Sequence, residues 1–374
     1  MGNIKSLYYL TYQSFPADTA NSIQTISNIK YLTKNGIDVT LFFPLREAGS
    51  DDNLNKIKEK YSVNVEFKIF GIKHNFPFGK INFFNPLFFL ISHYLWTKKT
   101  VQQIVEKYPK PDVFFTRSDW VFYFLSKRNL NVIFEYHQYS KLRNYLIKKS
   151  LKNKKAKIIF LNNNLYEDFK NKNTLGERYE ILQNGVDFEK FQSKAQKNKN
   201  EIVFVGKLTR FNKSRNIDFI IESLKKLNTN YKLKIVGASS DEIKTLKKLT
   251  DNKNIDKNIT FYNRLSHIET IKHLMSAEIG ILINSESNSH SLKYTSPIKY
   301  FEYLAAELKI LAVDFNSHRK LPFSENIVFF QNKDFISFKL ALEKIHNFKY
   351  IDKSALEEIS LDSRAKNIIK LASS

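Results

Sequence analysis

Short apolar runs alternate with helical patterns along most of the chain. In the first half, apolar runs of strand length occupy 7–12, 39–43, 63–67, 113–116, 132–135 and 158–161, and a helical pattern at 22–34 ends at Asn35-Gly36. In the second half, similar runs occupy 202–205, 233–236, 259–262, 279–283, 310–313 and 327–330. Strands that alternate with helices are typical of parallel sheets covered by helices. The pattern therefore predicts an α/β protein with two doubly wound, Rossmann-like domains.

A polar stretch separates the two series. Residues 192–200 (QSKAQKNKN) carry no apolar periodicity, which is typical of a linker. A chain of 374 residues is also long enough for two domains of about 150 residues each. We therefore predict a first domain at 1–195 and a second at 196–355. If the two domains face each other, the carboxyl ends of both sheets border a cleft, where ligands bind in α/β folds.

One segment, SPIKYFEYLAAE at 296–307, combines a helix start with a cation and a carboxylate. Pro297 suits the first helical position and Ser296 suits the cap, and the free N–H groups of a helix start attract phosphate. Lys299 adds charge, and Glu302 lies one turn deeper on the same face. Ile298, Phe301 and Leu304 are predicted to face the core. The carboxylate is placed to accept the hydroxyls of a ribose whose diphosphate lies at the helix start. An ordinary amphipathic helix with an ion pair is the alternative.

This segment resembles the signature of the SPLKLFEYMA-type subgroup of retaining glycosyltransferases of family 4, the glycosyl transferases of group 1. Other stretches resemble the family in the expected order: 17–44, FEYHQ at 134–138, NGVDFEKF at 184–191, 203–224 and ISLDSRAKNIIK at 359–370. The resemblance implies the GT-B fold, with an acceptor-binding domain at 1–195 and a nucleotide-sugar-binding domain at 196–355. It also implies that 356–374 forms a helix that packs back on the first domain. The implied reaction retains anomeric configuration.

The residues that would hold the donor follow from the same resemblance. Gly206 comes after a strand and lets the backbone approach a ligand closely. Lys207 and Arg215 match the cations that hold the donor phosphates in the family, and Lys213 is a rival for the second role. Lys207 and Arg215 would also stabilise the departing diphosphate, which makes them catalytic candidates. A solvated basic loop is the alternative.

The chain also departs from the family. Many members carry two glutamates separated by seven residues, and Tyr294 stands where the first would be. This leaves the recognised sugar open. The glycine usual after the Ala-Ala pair is replaced by Glu307, so we expect that turn to be built differently. By resemblance, Asn263 and Arg264 lie near the nucleobase.

In the first domain, His137 follows a strand and matches the family's histidine against the donor sugar. It is our third catalytic candidate, with a structural histidine as the alternative. Asn21 and Ser22 lie in the first strand-to-helix turn, where they can contact the diphosphate or the acceptor, and Gln24 stands where the family has histidine. Arg117 follows another strand and is a further ligand candidate, with an ion pair as the alternative.

Composition and charge narrow the function classes. The formal net charge is +23, which favours anionic partners, although a Lys-rich surface can also reflect nucleotide bias of the genome. The chain has no Cys, so disulfides and thiolate metal sites are excluded and a reducing cytoplasm is expected. No Asp-x-Asp pair, zinc spacing or Walker loop is present, so we expect no metal and no cofactor. No RNP-type strand supports a nucleic-acid partner.

Two segments bear on a membrane partner. The apolar run 83–96 is interrupted by polar residues and is shorter than the roughly 20 residues of a spanning helix, so we predict a buried or partly exposed helix. The basic segment 141–157, which mixes lysines with Leu142, Tyr145, Leu146 and Leu151, can rest with 76–96 on an anionic bilayer or pack inward. The N-terminus has no signal-peptide pattern.

The predicted function is transfer of a sugar from a UDP-, GDP- or ADP-sugar to a growing surface glycan or lipid-linked acceptor. Polysaccharide, O-antigen or lipopolysaccharide synthesis in the bacterial cytoplasm would use such an enzyme, either free or peripheral on the inner face of the plasma membrane. Two alternatives remain open. One is a GT-B protein that binds nucleotide or glycan without catalysis, and the other is a basic nucleic-acid binder.

Overall fold

A computed structural model describes residues 4–75, 85–170, 175–192, 195–210, 213–227, 230–250, 258–348, 351–352 and 354–374. The chain divides into two units, one formed by Met1–Gln183 and Leu361–Ser374 and the other by Asn184–Ser360. Each unit is built around its own parallel sheet with helices on its faces. The predicted α/β class with two Rossmann-like domains is therefore confirmed.

The first unit contains a sheet whose described strands all run parallel, in the order β3-β2-β1-β4-β5-β6-β7. Its strands are β1 (Ser6–Leu10), β2 (Asp38–Leu45), β3 (Lys68–Lys73), β4 (Val113–Thr116), β5 (Val132–Tyr136), β6 (Ala156–Phe160) and β7 (Tyr179–Ile181). Its helices are α1 (Ala20–Lys34), α2 (Leu54–Tyr61), α3 (Asn85–Lys107), α4 (Asp119–Ser126), α5 (Lys141–Ser150), α6 (Asn163–Lys170) and the closing α13 (Leu361–Ser373). The strand order reverses between β1 and β4, so polar residues after these strands share one edge.

The second unit repeats this plan with the order β12-β11-β8-β13-β14-β15, again parallel throughout. Its strands are β8 (Asn198–Val205), β11 (Lys232–Val236), β12 (Ile259–Tyr262), β13 (Ala277–Leu282), β14 (Lys309–Val313) and β15 (Ile327–Phe330), and a separate hairpin is formed by β9 (Thr209–Arg210) and β10 (Lys213–Ser214). Its helices are α7 (Ile217–Leu227), α8 (Ser240–Thr250), α9 (His267–Ser276), α10 (Ile298–Ala305), α11 (Asn316–Arg319) and α12 (Phe335–Ile345). The order reverses between β8 and β13.

The unit boundaries differ from the predicted ones. The second unit begins at Asn184, not at 196, because Val186 and Phe191 are buried in its core and the Val186 N–H donates to the Ile359 carbonyl at 3.0 Å. The predicted linker at 192–200 also runs into β8, which starts at Asn198, and its residues 193–194 lie outside the described residues. The last fourteen residues return to the first unit, where α13 packs on α1.

One predicted strand is misplaced. The apolar positions at 63–67 predict a strand, but the structure forms β3 at Lys68–Lys73, with Lys68 paired to Thr40. Val63 and Phe67 are buried in the core from an irregular segment that follows the left-handed Ser62. The apolar pattern at 63–67 therefore reflects side chains that are buried in the core, and not a strand that pairs in the sheet.

The apolar run of the first unit forms part of α3. The start of the predicted segment, 76–84, lies outside the described residues, and the helix is partly exposed. In the described parts of the chain, no helix combines the length and apolarity needed to span a bilayer.

A close contact fixes α10 on the second sheet. Tyr303 of α10 lies over Gly280 of β13, where an added Cβ would stand 2.5 Å from the tyrosine Cδ2. The Tyr303 hydroxyl accepts a hydrogen bond from the Val205 N–H and donates one to the Ile281 carbonyl, both at 3.3 Å. Because Val205 ends β8 and Ile281 lies in β13, α10 is tied to both strands at the point where the strand order reverses.

We expect Gly280→Ala to destabilise the second unit by about 1–3 kcal/mol, since the buried ring of Tyr303 has no room to move away from the new methyl group. Gly71→Ala is the matched control, because its added Cβ would meet only the flexible, partly exposed side chain of Leu45. Thermal unfolding followed by circular dichroism measures both. Equal melting temperatures for wild type and Gly280→Ala would contradict the proposed constraint.

Candidate functional site

The first part of the candidate site lies at the carboxyl end of β8. Gly206 has φ +144°, and its N–H donates to the Val236 carbonyl at 2.9 Å. An added Cβ on Gly206 would stand 3.0 Å from Nη1 of Arg215. The glycine therefore makes room for this guanidinium, in addition to the close backbone approach that the sequence predicts.

The basic loop after Gly206 forms the β9–β10 hairpin. Lys213 pairs with Arg210 across the hairpin, and the Arg215 N–H then donates to the Leu208 carbonyl at 2.9 Å. These bonds return the chain to the end of β8, so that Arg215 is half-buried beside Gly206. Lys207 and Lys213 are exposed. The structure thus assigns Arg215, and not Lys213, to the position next to the glycine.

Glu302 forms the second part of the site. Its side chain is 6% exposed, with Oε2 at 2.6 Å from Lys299 Nζ and Oε1 at 2.9 Å from His267 Nε2. Burial alone would raise the pKa of this carboxyl, but Lys299 and His267 offset the burial and lower the pKa to about 2. The carboxylate is therefore charged at neutral pH. Each of its oxygens can accept a second hydrogen bond, which leaves acceptor capacity for a ligand.

Sequence reasoning missed His267. The histidine is the first residue of α9, whose start is fixed by a capping box between Ser266 and Glu269. The sequence Ser-His-Ile-Glu after the strand β12 was an available signal, because this spacing of serine and glutamate marks a helix start. What the sequence could not show is that His267 and Glu302, far apart in the chain, share a hydrogen bond.

The predicted capping role of Ser296 is wrong. Pro297 occupies the cap position of α10 and no side chain caps the helix. Ser296 is instead bonded to Asn184, whose N–H lies 3.4 Å from the serine Oγ and whose Nδ2 donates to the serine carbonyl at 2.6 Å. Two of the motifs used in the sequence analysis, at 184–191 and 296–307, are therefore in direct contact.

The other predicted donor residues lie around these two parts. Tyr294 is buried in a π-helical turn, His290–Tyr294, just before α10. Asn263 and Arg264 are exposed in the turn that follows β12. Glu307 adopts φ +54° directly after the helix, so the turn keeps the left-handed conformation that glycine usually supplies, contrary to our expectation of a different turn.

In the first unit, a buried carboxylate gathers the predicted residues. Glu135, at the end of β5, is fully buried, with Arg117 Nη2 at 2.8 Å from its Oε1 and Arg364 Nη2 at 2.6 Å from its Oε2. His137 Nε2 also contacts Oε1. Two positive guanidiniums more than offset the burial and hold the pKa of Glu135 well below its usual range.

His137 is brought together with the other predicted residues by Arg117. Arg117 Nε donates to His137 Nε2 at 2.7 Å, and the same guanidinium bonds Asn21 Oδ1 and, at 2.7 Å, Gln24 Oε1. Burial and the adjacent guanidinium of Arg117 lower the pKa of His137 to about 4, so the ring is neutral at pH 7. The ion pair that we weighed as an alternative for Arg117 is present.

Two residues of this site change roles relative to the prediction. Ser22 is fully buried, and its hydroxyl belongs to the capping box with Thr19 and to a bond with the Ala17 carbonyl, so it is not available to a ligand. Arg364 was not anticipated, although an arginine on the apolar face of the predicted closing helix was a usable signal. It also donates to the Gln183 carbonyl at 2.9 Å, which ties α13 to the end of the first stretch of the unit.

Most of the second unit is similar to a known family. Residues 185–347 match the Glycosyl transferases group 1 family. The matched segment includes Gly206, Arg215, His267 and Glu302. This match supports a transferase activity for the chain. No curated protein sequence matches it.

Solved structures show the fold. The sucrose-phosphate synthase of Thermosynechococcus elongatus aligns with TM-score 0.66 and 11% identity over 98% of this chain and 94% of its own. The lipopolysaccharide outer core galactosyltransferase WaaB, in its apo form, aligns with TM-score 0.65 and 12% identity over 99% of this chain and 100% of its own. Anabaena HepE, in complex with UDP and glucose, aligns with TM-score 0.59 and 12% identity over 98% and 95%. The predicted GT-B fold class is confirmed.

We expect Arg364→Leu to destabilise the first unit by about 3–5 kcal/mol, because it leaves the buried Glu135 with one guanidinium fewer. The low pKa of Glu135 stabilises the folded state above its ordinary value of 4.5, and this contribution is lost as pH falls through the folded pKa. The difference in the free energy of unfolding between the wild type and Arg364→Leu should therefore become smaller below about pH 4.5. Urea unfolding across pH measures it.

The double variant Glu135→Leu with Arg364→Leu is the control for this prediction. It removes the charge together with its partner, so we expect it to be more stable than Arg364→Leu alone. If the double variant loses as much stability as the sum of the two single variants, the pairing of Glu135 with Arg364 is not the cause.

Proposed function

We propose that the protein is a retaining glycosyltransferase that moves a sugar from a nucleoside-diphosphate-sugar to a glycan acceptor. The observation that carries this proposal is the arrangement in the family-matched segment, where the charged Glu302 and the Gly206–Arg215 loop belong to the same edge of the second sheet. In α/β sheets, ligands bind at the carboxyl edge where the strand order reverses. Here that point lies between β8 and β13.

The donor nucleoside would be held by Glu302. Its carboxylate is charged, nearly buried and held by Lys299 and His267, so it is oriented before a ligand arrives. A fixed carboxylate accepts hydrogen bonds from the two hydroxyls of a ribose, which all nucleotide donors share. Of the UDP-, GDP- and ADP-sugars, the UDP-sugars are the first to test, because the structural neighbour HepE contains UDP and glucose.

The donor phosphates would lie near Lys207 and Arg215. In a transfer without a metal ion, protein cations must neutralise the charge that develops on the departing diphosphate. Arg215 is half-buried beside Gly206, so it can stabilise that charge with little reorganisation, and Lys207 is exposed in the same loop. Lys299 adds charge at the start of α10. Among the described residues, no three His, Asp or Glu side chains cluster in a way that would hold a metal ion.

His137 would contact the transferred sugar. Because its ring is neutral at pH 7, it would act by hydrogen bonding and not as a cation. Retention of configuration would follow from attack of the acceptor on the face from which the diphosphate leaves. The acceptor would be a growing surface glycan, free or lipid-linked, as in the lipopolysaccharide pathway of the neighbour WaaB. A location at the inner face of the plasma membrane suits such an acceptor.

We expect Glu302→Ala to weaken donor binding by roughly 10- to 150-fold, since a hydrogen bond to a charged group contributes about 1.5–3 kcal/mol. Calorimetry with UDP-, GDP- and ADP-glucose measures the affinity, and Glu343→Ala, an exposed glutamate on α12, is the control. If Glu302→Ala binds the donor with wild-type affinity, the proposed contact with the ribose is wrong. No binding of any of the three donors by the wild-type protein would remove the proposed function.

We expect Lys207→Ala and Arg215→Ala to lower kcat by about 10²-fold or more, with a smaller effect on the binding of the intact donor, because their charge matters most as the diphosphate departs. Donor hydrolysis or transfer assays give kcat and KM, and Lys244→Ala on the exposed face of α8 is the control. A rise in KM alone would reassign both residues to binding. Donor binding by the wild type without any turnover would favour the non-catalytic binding protein.

A further inference from the structure

One face of the first unit exposes an unusual number of apolar side chains. Among the described residues, eight of the eleven exposed large hydrophobic side chains lie on α3 and α5. The main ones are Leu87, Leu90, Ile91 and Leu95 of α3, which are 39–53% exposed, and Leu142 and Tyr145 of α5, which are 52% and 54% exposed. We call this surface the α3–α5 face. Single exposed apolar residues are common, but a cluster of this size marks a site of interaction.

The α3–α5 face is continuous because α4 lies between the two helices and contacts both. The rings of Tyr94 on α3 and Trp120 on α4 meet edge to face at 4.8 Å. On the other side, Arg143 of α5 reaches Asp119 of α4 at 3.3 Å. Trp120 and Tyr123 are half-buried between the two rows of apolar residues. The surface thus combines leucines and isoleucine with aromatic rings.

The helix α3 exposes leucines to solvent while it buries several polar side chains. The buried side of the helix carries Trp96, Val101 and Ile104, but also four polar residues that are at most 9% exposed, whereas the leucines of the helix face outward. The four polar residues are Ser92, His93, Thr97 and Thr100. A helix at the surface of a soluble protein normally turns its apolar side to the core. One of these inward polar side chains, His93, has its Nε2 at 2.8 Å from Ser118 Oγ. The packing of α3 therefore holds its leucines toward solvent, where they need an apolar partner.

The charges beside the face identify that partner. Lys98 and Lys99 follow the apolar residues of α3 by one turn, and Lys141, Lys148 and Lys149 are exposed on α5. Lysines flanking exposed leucines and aromatic rings are the pattern of a surface that lies on a bilayer, with apolar groups below the headgroups and ammonium groups among anionic lipids. The net charge of +23 adds a long-range attraction to the same partner.

We infer that the α3–α5 face docks on an anionic lipid bilayer. Docking would depend on Leu90 and Ile91 for insertion and on Lys148 and Lys149 for attraction to the headgroups. The inference of membrane docking does not depend on the protein being a glycosyltransferase. Its consequence, that the glycan acceptor is lipid-linked, rests on the proposed function.

The test is cosedimentation with vesicles of phosphatidylcholine alone and with added phosphatidylglycerol, at low and high salt. We expect the wild type to sediment with the anionic vesicles at low salt and to dissociate at high salt. The pair Lys148→Glu and Lys149→Glu should bind roughly 30-fold more weakly. The pair Leu90→Glu and Ile91→Glu should bind the anionic vesicles roughly 10-fold more weakly, or weaker still.

Two control pairs carry equal changes elsewhere. Ile336→Glu with Leu340→Glu alters exposed apolar residues of α12, and Lys244→Glu with Lys248→Glu alters exposed lysines of α8. Both control pairs should bind vesicles like the wild type. If control and test pairs lose equal affinity for the vesicles, the effect is one of general charge and the assignment of the face is wrong. The assignment is also wrong if the wild type does not bind anionic vesicles at low salt.

Two further measurements separate the remaining outcomes. If sedimentation velocity shows a dimer that Leu90→Glu with Ile91→Glu converts to a monomer, the face is covered by a second copy and the membrane inference is wrong. Thermal shift with UDP-glucose on the same variants reports on the proposed function alone. Donor binding without vesicle binding would remove only this inference, and vesicle binding without donor binding would remove only the proposed function.

Discussion

The candidate donor site depends on the contact between Tyr303 and Gly280. The ring lies on the strand at a distance that only glycine permits, and its hydroxyl bonds the two strands between which the sheet order reverses. Since Glu302 precedes Tyr303 in α10, the same contact fixes the height and rotation at which the carboxylate leaves the helix. A ligand site on a helix is only as well defined as the packing of that helix. Here the packing is a rigid ring on backbone, with little freedom for adjustment.

The first unit uses a buried charge for a similar purpose. Removing a carboxylate from water costs several kcal/mol, and the attraction to its partners repays this only when the geometry is good. Glu135 meets that condition with guanidiniums on both oxygens. One guanidinium comes from α13 and the other orients His137 and Asn21. The last helix of the chain is thereby coupled to the residues that we assign to the ligand, although it contributes no ligand contact of its own.

Much of the fold follows from local pattern, because strands buried on both faces produce apolar runs and the helices between them carry caps such as Thr19 and Ser266. Local pattern failed where segments distant in sequence decide the outcome. Ser296 was predicted to cap α10, but it is hydrogen-bonded to Asn184 instead. The β9–β10 hairpin has no apolar side to signal it, and His267 and Arg364 acquire their roles only from carboxylates elsewhere in the chain. The Lys299–Glu302 ion pair, which we weighed as the alternative to a ribose site, is present, and it could be foreseen because both residues lie on one helix, where spacing alone sets the contact.

The direction of α3 shows a further limit of sequence reasoning and also resolves an ambiguity in it. An apolar run shows that a helix has apolar residues, not which way they face. The abundance of lysine could by itself reflect genome composition, since lysines would then cover every solvated surface alike. Exposed leucines have no such explanation, because genome bias does not place them in solvent on a helix that buries serine and threonine side chains. Their concentration on the α3–α5 face distinguishes the lysines there from those on the α8 surface, where the neighbouring apolar residues point to the core. The charge of this protein therefore acquires a specific meaning only where the packing places it beside exposed apolar groups.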